Sequence, residues 1–149
     1  MRAVVTRVRE ASVTIDGEVT GRIGTGFLIL LGITHGDTPA LCRKLAEKVL
    51  GLRIFTDENY KMNKGLSDVD GGVLVVSQFT LYGDCSHGRR PNFLNAAAPE
   101  QAIPLYEQFL DECRRLGFEP QHGTFGAHMQ VASVNDGPVT MIVDTDDLK

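Results

Sequence analysis

The sequence lacks tryptophan and has only three cysteines among its 149 residues. Cys42, Cys85 and Cys113 are odd in number, far apart and in no Cys-x-x-Cys pair. This pattern argues against a disulfide framework or a zinc finger and indicates a reducing cytoplasm. The longest apolar run, residues 27–31, is far short of the roughly 20 residues that span a bilayer. Because the first residues alternate charged and apolar side chains, we expect neither an export signal nor a membrane anchor.

Nucleotide-cofactor motifs are also missing. There is no Walker A sequence and no Gly-x-Gly-x-x-Gly leading from a strand into a helix, so no cofactor is expected. The formal net charge of −4 argues against a protein that coats DNA or other nucleic acid without specificity. A chain of this length with 42% hydrophobic residues is expected to form one domain, residues 1–149, with its own core.

Hydrophobic periodicity predicts an α+β fold, in which a strongly curved, mainly antiparallel sheet forms a barrel-like roll covered by two main helices. The expected strands are residues 2–9, 11–15, 27–33, 52–55 and 73–76, and two more joined by a tight turn at Asn135–Pro138. The expected helices are residues 39–50 and 99–116. Pro104 favours a kink in the second helix or a start near residue 103. Residues 56–70 show no sustained period and are expected to be a surface loop.

The candidate site is predicted from the stretch around residues 73–82. Four apolar residues, 73–76, predict a strand buried on both faces. Polar side chains follow where the apolar run stops, at Ser77, Gln78 and Thr80. Their simplest role is to cap the strand, but a loop with Arg89 and Arg90, residues 83–93, comes next. A polar strand end beside a basic loop predicts a pocket for an anionic substrate.

Two kinds of catalytic centre can be assembled from this region, and neither is favoured. Thr80 or Cys85 could pair with His87 and Asp84 as a nucleophile and base, but triads are brought together by the fold and not by neighbouring positions. A zinc site would have to use Cys85, His87, His122 and His128. Their spacing is unlike that of structural zinc ligands, so no metal is predicted.

Four segments resemble the motifs of the D-aminoacyl-tRNA deacylases. They are Ser77-Gln78-Phe79-Thr80-Leu81, Gly88-x-Arg90-Pro91-x-Phe93, Phe125-Gly126-Ala127-x-Met129 and Asn135-x-Gly137-Pro138-Val139-Thr140. The resemblance covers essentially the whole chain. It implies a hydrolase that cleaves the ester joining a D-amino acid to the terminal ribose of tRNA, or glycine mischarged on tRNA(Ala). Such an enzyme proofreads chirality during translation.

The resemblance also implies a homodimer that binds the 3′ end of aminoacylated tRNA at the subunit interface. The residues expected to line the catalytic pocket are Ser77, Gln78, Phe79 and Thr80. The Gly137-Pro138 peptide, in cis, would enter the partner's pocket and reject L-amino acids, with Met129 beside it and Arg7 near the turn. Without the resemblance, Arg7 is either a solvent-facing side chain or a fork of donors reaching toward carbonyl groups.

Three questions stay open from the sequence. Thr80 could react directly, although the lack of a convincing base favours a non-covalent role. A sister group with the same Gly-Pro peptide in trans edits L-alanyl-tRNA, and a non-catalytic module that binds the tRNA end is a further alternative. In every case the cations expected to contact tRNA phosphates are Arg89, Arg90 and Lys64.

Overall fold

A computed structural model describes residues 1–149. In chain order its elements are β1 (Arg2–Ile15), β2 (Glu18–Ile23), β3 (Gly26–Gly32), α1 (Pro39–Leu50), β4 (Phe55–Thr56), β5 (Met62–Lys64), β6 (Gly72–Ser77), α2 (Pro99–Arg115), β7 (Gln121–His122) and β8 (Gln130–Asp144). Short 3-10 turns lie at Leu66–Val69, Phe79–Tyr82 and Thr145–Asp147.

The main sheet is built around β1. One edge of β1 pairs antiparallel with β3 along its first half and with β2 along its second half, and the other edge pairs antiparallel with β8. Parallel pairing continues the sheet from β3 to β6 and from β6 to β7. Strand β7 then lies beside β2, where the amide of Arg22 donates to Oε1 of Gln121 at 3.4 Å. The sheet is therefore a nearly closed, barrel-like roll, which confirms the predicted fold class.

Both predicted helices are present and cover the core. Helix α1 starts after Thr38, whose hydroxyl accepts a hydrogen bond from the amide of Leu41 at 3.2 Å. Helix α2 starts at Pro99 and not near residue 103, because Pro104 removes only one backbone hydrogen bond while the apolar stripe of the helix is buried throughout. The buried residues of that stripe are Ala102, Leu105, Tyr106, Phe109, Leu110 and Cys113. Neither helix is apolar over a length that could span a bilayer.

The segment between α1 and β6 is more ordered than its sequence predicts. The expected strand at residues 52–55 is reduced to β4, which begins at Phe55, and the expected loop contains β5 and a 3-10 turn. The carboxylate of Asp57 organises the connection by accepting from the amides of Asn59 and Lys61 at 2.8 and 3.0 Å. A strand as short as β5 carries no detectable period, which explains why it was not predicted.

The C-terminal third is one strand and not the predicted hairpin. Thr6 of β1 pairs with Thr140, and Val8 pairs with Asn135. Residues 136–139 therefore face the single residue Arg7, and we refer to them as the β8 bulge. The flanking segments both pair with β1, so the chain does not reverse direction, although Asn-Asp-Gly-Pro is typical of a turn.

Replacement of Phe27 by alanine is expected to lower the free energy of unfolding by about 3–5 kcal/mol, because it leaves a cavity in the core. The Phe27 ring is fully buried and stacks on Phe55 with 5.3 Å between ring centroids. Urea denaturation followed by circular dichroism measures the change. Tyr60→Ala, at a side chain that is 92% exposed, is the control and should change stability by less than about 0.5 kcal/mol. A loss below about 1 kcal/mol in Phe27→Ala would contradict the packing described here.

Candidate active site

A cavity of about 330 Å³ opens where β6 ends. We refer to it as the site cavity. The predicted residues Ser77, Gln78, Phe79 and Thr80 line it together with Met129. Its apolar walls come from the end of β3 and the residue after it, from the start of α2 and the chain just before it, and from the segment before β8. They include Leu31, Ile33, Ala97, Ala102 and Phe125. The fold thus brings together two of the four family-like motifs that are about fifty positions apart in the sequence.

The polar end of β6 is fixed by the backbone. The amide of Gln78 donates to the carbonyl of Leu31 on β3 at 2.8 Å, and the amide of Gly83 donates to the carbonyl of Thr80 at 2.9 Å. Phe79 and Thr80 are the first residues of the 3-10 turn, and no side chain caps it. The amide N–H groups at the start of such a turn have no partner within it. Both residues line the site cavity.

The hydroxyl of Thr80 is not hydrogen-bonded to a histidine or a carboxylate. Its Oγ1 accepts a hydrogen bond from Nε2 of Gln78 at 3.0 Å. The ring of His87 interacts instead with the hydroxyl of Ser86 at 2.9 Å, and Asp84 accepts from the amide of Ser86 at 2.8 Å. The nucleophile and base arrangement considered from the sequence is therefore not formed. Neither Cys85 nor His87 lines the site cavity.

The thiols and the histidines do not form a reactive or metal-binding cluster. Burial raises the pKa of Cys42 and of Cys113 to about 12, so both thiols remain protonated at neutral pH. Cys85 is exposed. No group of three or more His, Cys, Asp or Glu side chains is placed to hold a metal ion. His128 lines the site cavity, whereas Nδ1 of His122 contacts the carbonyl of Gly123 at 2.7 Å.

Arg7 is a buried fork of donors, and the solvent-facing alternative is wrong. The side chain lies beneath the β8 bulge, and the residue is only 8% exposed. Its Nε donates to the carbonyl of Asp136 at 2.8 Å, and its Nη1 donates to the carbonyl of Ile54 at 2.8 Å and to Oγ1 of Thr56 at 3.2 Å. Arg7 thereby connects the β8 bulge to the start of β4.

Asn135 and Val139 hold the two ends of the β8 bulge. Oδ1 of Asn135 accepts from the amide of Val139 at 2.8 Å, and its Nδ2 donates to Oγ1 of Thr140 at 3.1 Å. Val139 is buried in the core. Gly137 has φ of +138°, and the peptide bond between Gly137 and Pro138 is cis. The tip of the bulge is exposed and does not line the site cavity of its own chain.

The three cations expected at phosphates do not line the site cavity. Arg89 and Arg90 are exposed in a loop that is closed by two hydrogen bonds between the backbones of Asp84 and Asn92 at 2.8 and 3.0 Å. Lys64 is on β5 and forms a salt bridge with Glu58 at 2.8 Å. The structure therefore does not combine these cations with the strand end into one basic pocket.

Sequence reasoning missed several residues that shape the site cavity. Phe125 lines it and packs on Tyr106 with 5.8 Å between ring centroids. The motif around Phe125 and Met129 was the signal that could have identified it. Ala97 and Ala102 leave room for a ligand between the sheet and α2. Small apolar residues carry no such signal in a single sequence.

Comparison with known proteins places the chain among the hydrolases that act on the ester bond of aminoacyl-tRNA. A model of the family described as D-Tyr-tRNA(Tyr) deacylase matches residues 4–144. The chain belongs to this family.

Its relatives are similar over nearly the full length. A protein from Thermus aquaticus named D-aminoacyl-tRNA deacylase is 57% identical over 145 residues, which cover 97% of this chain and 95% of that protein. A protein of the same name from Bacillus cytotoxicus is 56% identical, with 97% and 99% covered. The solved structure of the c-Myc DNA Unwinding Element Binding Protein superposes with a TM-score of 0.91 at 42% identity and covers 97% of this chain and 98% of that chain.

Proposed function

We propose that this protein hydrolyses D-aminoacyl-tRNA, and glycyl-tRNA mischarged on tRNA(Ala), and thereby proofreads translation in the cytoplasm. One domain, residues 1–149, carries the activity and uses no cofactor. The observation that supports this most directly is the placement of Ser77–Thr80 at an apolar cavity while the Gly137–Pro138 tip is exposed outside it. Two copies of the chain can combine these halves into one site.

The chemistry does not need a covalent intermediate. An aminoacyl ester is already activated, so the protein has mainly to position water, or the neighbouring ribose hydroxyl, and to stabilise the oxyanion. The N–H groups of Phe79 and Thr80 serve as the oxyanion donors, and the loss of one such donor typically costs about 2.7–4 kcal/mol of transition-state stabilisation. The hydroxyl of Thr80, held by Gln78, orients the attacking oxygen. The hydroxyl of Thr80 is hydrogen-bonded to the amide of Gln78 and to no base, which supports this non-covalent role.

The surrounding walls favour the same chemistry. Leu31, Ala97, Ala102 and Phe125 give the site cavity apolar walls, which limit the access of water. Hydrogen bonds to a developing negative charge are stronger where the local dielectric constant is low. Met129, a flexible side chain, adapts its shape to amino acids of different size. One pocket can therefore accept many side chains.

Discrimination between D- and L-amino acids requires a structural element other than the walls of the site cavity. The two enantiomers contain the same atoms, so contact area and charge cannot separate them, and only the direction of the side chain differs. A rigid stretch of main chain can block one direction. The Gly137–Pro138 tip exposes main-chain atoms to the substrate. Its carbonyl groups accept hydrogen bonds from the substrate ammonium. The side chain of an L-amino acid would collide with the tip. We refer to this Gly137–Pro138 tip as the wedge. Hydrogen bonds from Arg7 and to Asn135 hold it rigid.

The wedge acts in the cavity of a second copy of the chain. Strand β8 pairs with β1 on one edge only. Its apolar side chains Val131, Val134 and Ile142 are 38%, 45% and 73% exposed, and a second copy would bury them. We propose a homodimer in which the β8 bulge of each protomer enters the site cavity of its partner. Arg89 and Arg90, which have no partner within the chain, contact phosphates of the bound tRNA, and Lys64 does so only by leaving Glu58.

Parallel deacylation of D-tyrosyl-tRNA and L-tyrosyl-tRNA is the decisive experiment. Release of the D-amino acid is expected to exceed the uncatalysed rate by at least about 100-fold, whereas the L-ester remains at the uncatalysed rate, because the wedge excludes it from the cavity. L-alanyl-tRNA is included as a third substrate. Hydrolysis of L-alanyl-tRNA alone would assign the chain to L-alanyl editing, and no turnover of any of the three would leave only binding of the tRNA end.

A further inference from the structure

The side chain of Arg2, at the start of β1, connects the end of β8 with the 3-10 turn at Phe79–Tyr82. Its Nε donates to Oδ2 of Asp144 at 2.9 Å, and its Nη1 donates to the carbonyl of Leu81 at 2.8 Å. The Cζ atom of its guanidinium group lies 4.7 Å from the centroid of the Tyr82 ring. Two of the three partners of Arg2 therefore belong to the turn that carries the proposed oxyanion donors.

Strand pairing places Arg2 next to this turn. Arg2 is opposite Gly32 on β3 and opposite Asp144 on β8. The three residues form one row, because cross-strand partners share a face of a sheet. A β-carbon at Gly32 would lie 3.0 Å from Cβ of Leu81 and 3.1 Å from the ring of Tyr82. The turn thus packs directly over Gly32, within reach of the guanidinium group.

The groups around Arg2 keep their charge states at neutral pH. Burial raises the pKa of Asp144, but hydrogen bonds from the amide of Asp146 and from Arg2 outweigh it, so this pKa lies below its usual value. Burial raises the pKa of Tyr82, so its ring stays neutral and can face a cation. An arginine is always protonated. The contacts of Arg2 are therefore those of a cation with an anion, a carbonyl dipole and a neutral ring.

The two ends of the 3-10 turn are held by different contacts. Its start is fixed by the amide of Gln78, which donates to the carbonyl of Leu31 on β3 at 2.8 Å. Its far end is tied to β1 by the hydrogen bond from Arg2 to Leu81. Misplacement of reacting groups by about 1 Å can cost about 100-fold in rate. A turn held only at its start would leave the amides of residues 79–80 free to shift.

We propose that Arg2 is a positioning residue for ester hydrolysis, which holds the 3-10 turn so that the N–H groups of Phe79 and Thr80 point at the developing oxyanion. The inference rests on the proposed function, which assigns these N–H groups as the oxyanion donors. Arg2 does not line the site cavity, so it affects the reaction through the turn. Arg7, on the same strand, holds the β8 bulge instead. Strand β1 thus fixes the part of the site that reacts and the part that selects.

Kinetics of Arg2→Met test the proposal. The kcat for D-tyrosyl-tRNA is expected to fall at least about 10-fold with KM unchanged, because a displaced oxyanion donor weakens binding of the transition state and not of the substrate. Single-turnover rates at saturating enzyme isolate the chemical step. L-tyrosyl-tRNA should remain at the uncatalysed rate, since Arg2 does not contact the wedge. Arg2→Lys keeps the charge but not the planar fork, so it should restore kcat in part, to about 3-fold below the wild type.

Two control variants separate positioning from a general loss of stability. Arg43→Met removes an arginine that also pairs with a carboxylate, that of Glu47 at 3.1 Å, on the exposed face of α1. Phe27→Ala opens the buried core near the start of β3, at the end of the strand opposite Gly32. Both controls should keep kcat within about 2-fold at a temperature where circular dichroism shows every variant to be folded. A loss of kcat in Phe27→Ala equal to that in Arg2→Met would overturn the proposal.

Hydrogen exchange reports on the turn itself. The amides of Leu81 and Gly83 donate to the carbonyls of Gln78 and Thr80 at 3.3 and 2.9 Å. In Arg2→Met these two amides are expected to exchange at least about 10-fold faster, because the far end of the turn is released. Exchange at the amide of Gln78, which is bonded to β3, should be unchanged. A loss of global stability would instead accelerate exchange at all three amides.

The outcomes distinguish this proposal from the proposed function. If the wild-type protein hydrolyses no aminoacyl-tRNA, the proposed function fails, and the role of Arg2 in it fails as well. If the wild type is active and Arg2→Met keeps its kcat within about 2-fold, the positioning role alone is overturned. A raised KM with unchanged kcat would overturn it too, since Arg2 would then bind the tRNA directly. So would a lower kcat with unchanged exchange at Leu81 and Gly83, because the turn would not have been released.

Discussion

Gly137→Ala is expected to lower kcat/KM for D-tyrosyl-tRNA by at least about 100-fold, equivalent to about 2.7 kcal/mol of transition-state stabilisation. A β-carbon at this position would lie 2.8 Å from Cγ2 of Val139 and 2.9 Å from Nη2 of Arg7, at a φ of +138° that L-residues rarely adopt. The tip of the β8 bulge therefore has to move, and the wedge no longer fits its cavity. Initial rates of deacylation over a range of tRNA concentrations measure the change.

The control for backbone strain is Gly17→Ala. Gly17 also has positive φ, +81°, but no atom lies within 4 Å of a β-carbon there. This variant is expected to lose about 1–2 kcal/mol of stability and to keep its activity within about 2-fold, because Gly17 is in the turn between β1 and β2, away from both the bulge and the site cavity. If Gly137→Ala retained wild-type kcat/KM, the bulge would not be part of the site.

A mixed dimer tests whether the wedge acts across subunits. Ala127 lines the site cavity, so Ala127→Trp fills the cavity and leaves the β8 bulge intact. Gly137→Ala distorts the β8 bulge and leaves the cavity intact. Each homodimer is expected to be inactive. A heterodimer purified through two different affinity tags should have about half of the wild-type activity, because symmetry gives it one intact site of two. An inactive heterodimer would show that each bulge serves its own chain.

The sequence predicted those parts of the site that depend on local pattern. The run of apolar residues before Ser77 identifies a buried strand and its polar end without further information. Helix α1 is equally evident from its capping residue Thr38 and its apolar stripe. That Met129 lies at the same cavity as Thr80 followed only from the resemblance to a family, because no periodicity links residues on a 3-10 turn with residues before β8.

The parts that were wrong or missed depend on contacts between distant segments. Asn135–Pro138 has the local chemistry of a hairpin turn, yet the chain continues straight because the segments on both sides pair with β1. The burial of Arg7 depends on the carbonyl of Ile54, which is 47 positions away. Single-sequence patterns carry none of this information.

Arg7→Met is expected to lower both stability and activity, because it removes a charged donor fork but keeps much of its apolar volume. Each hydrogen bond to a charged group contributes about 1.5–3 kcal/mol, and the carbonyls of Asp136 and Ile54 lose their donors together. We expect a loss of about 3 kcal/mol in the free energy of unfolding by urea denaturation. The carboxylate of Asp136 is 4.0 Å from Nε and half exposed, so it adds little.

The loss of activity in Arg7→Met has a cause separate from stability. Once Asp136 is released, the Gly137–Pro138 tip becomes mobile, so discrimination between D- and L-tyrosyl-tRNA should fall at least about 10-fold even at a temperature where the variant is fully folded. Hydrogen exchange should show faster exchange at residues 135–140 and unchanged exchange in α1 and α2. Thr56→Val removes only the hydroxyl that is 3.2 Å from Nη1 of Arg7. It should lower the free energy of unfolding by about 1 kcal/mol or less and leave discrimination intact. Arg7→Lys cannot reach two carbonyls with a planar fork, so its stability and its discrimination should lie between those of Arg7→Met and Thr56→Val. If Arg7→Met discriminated as well as the wild type, rigidity of the β8 bulge would not be what selects the enantiomer.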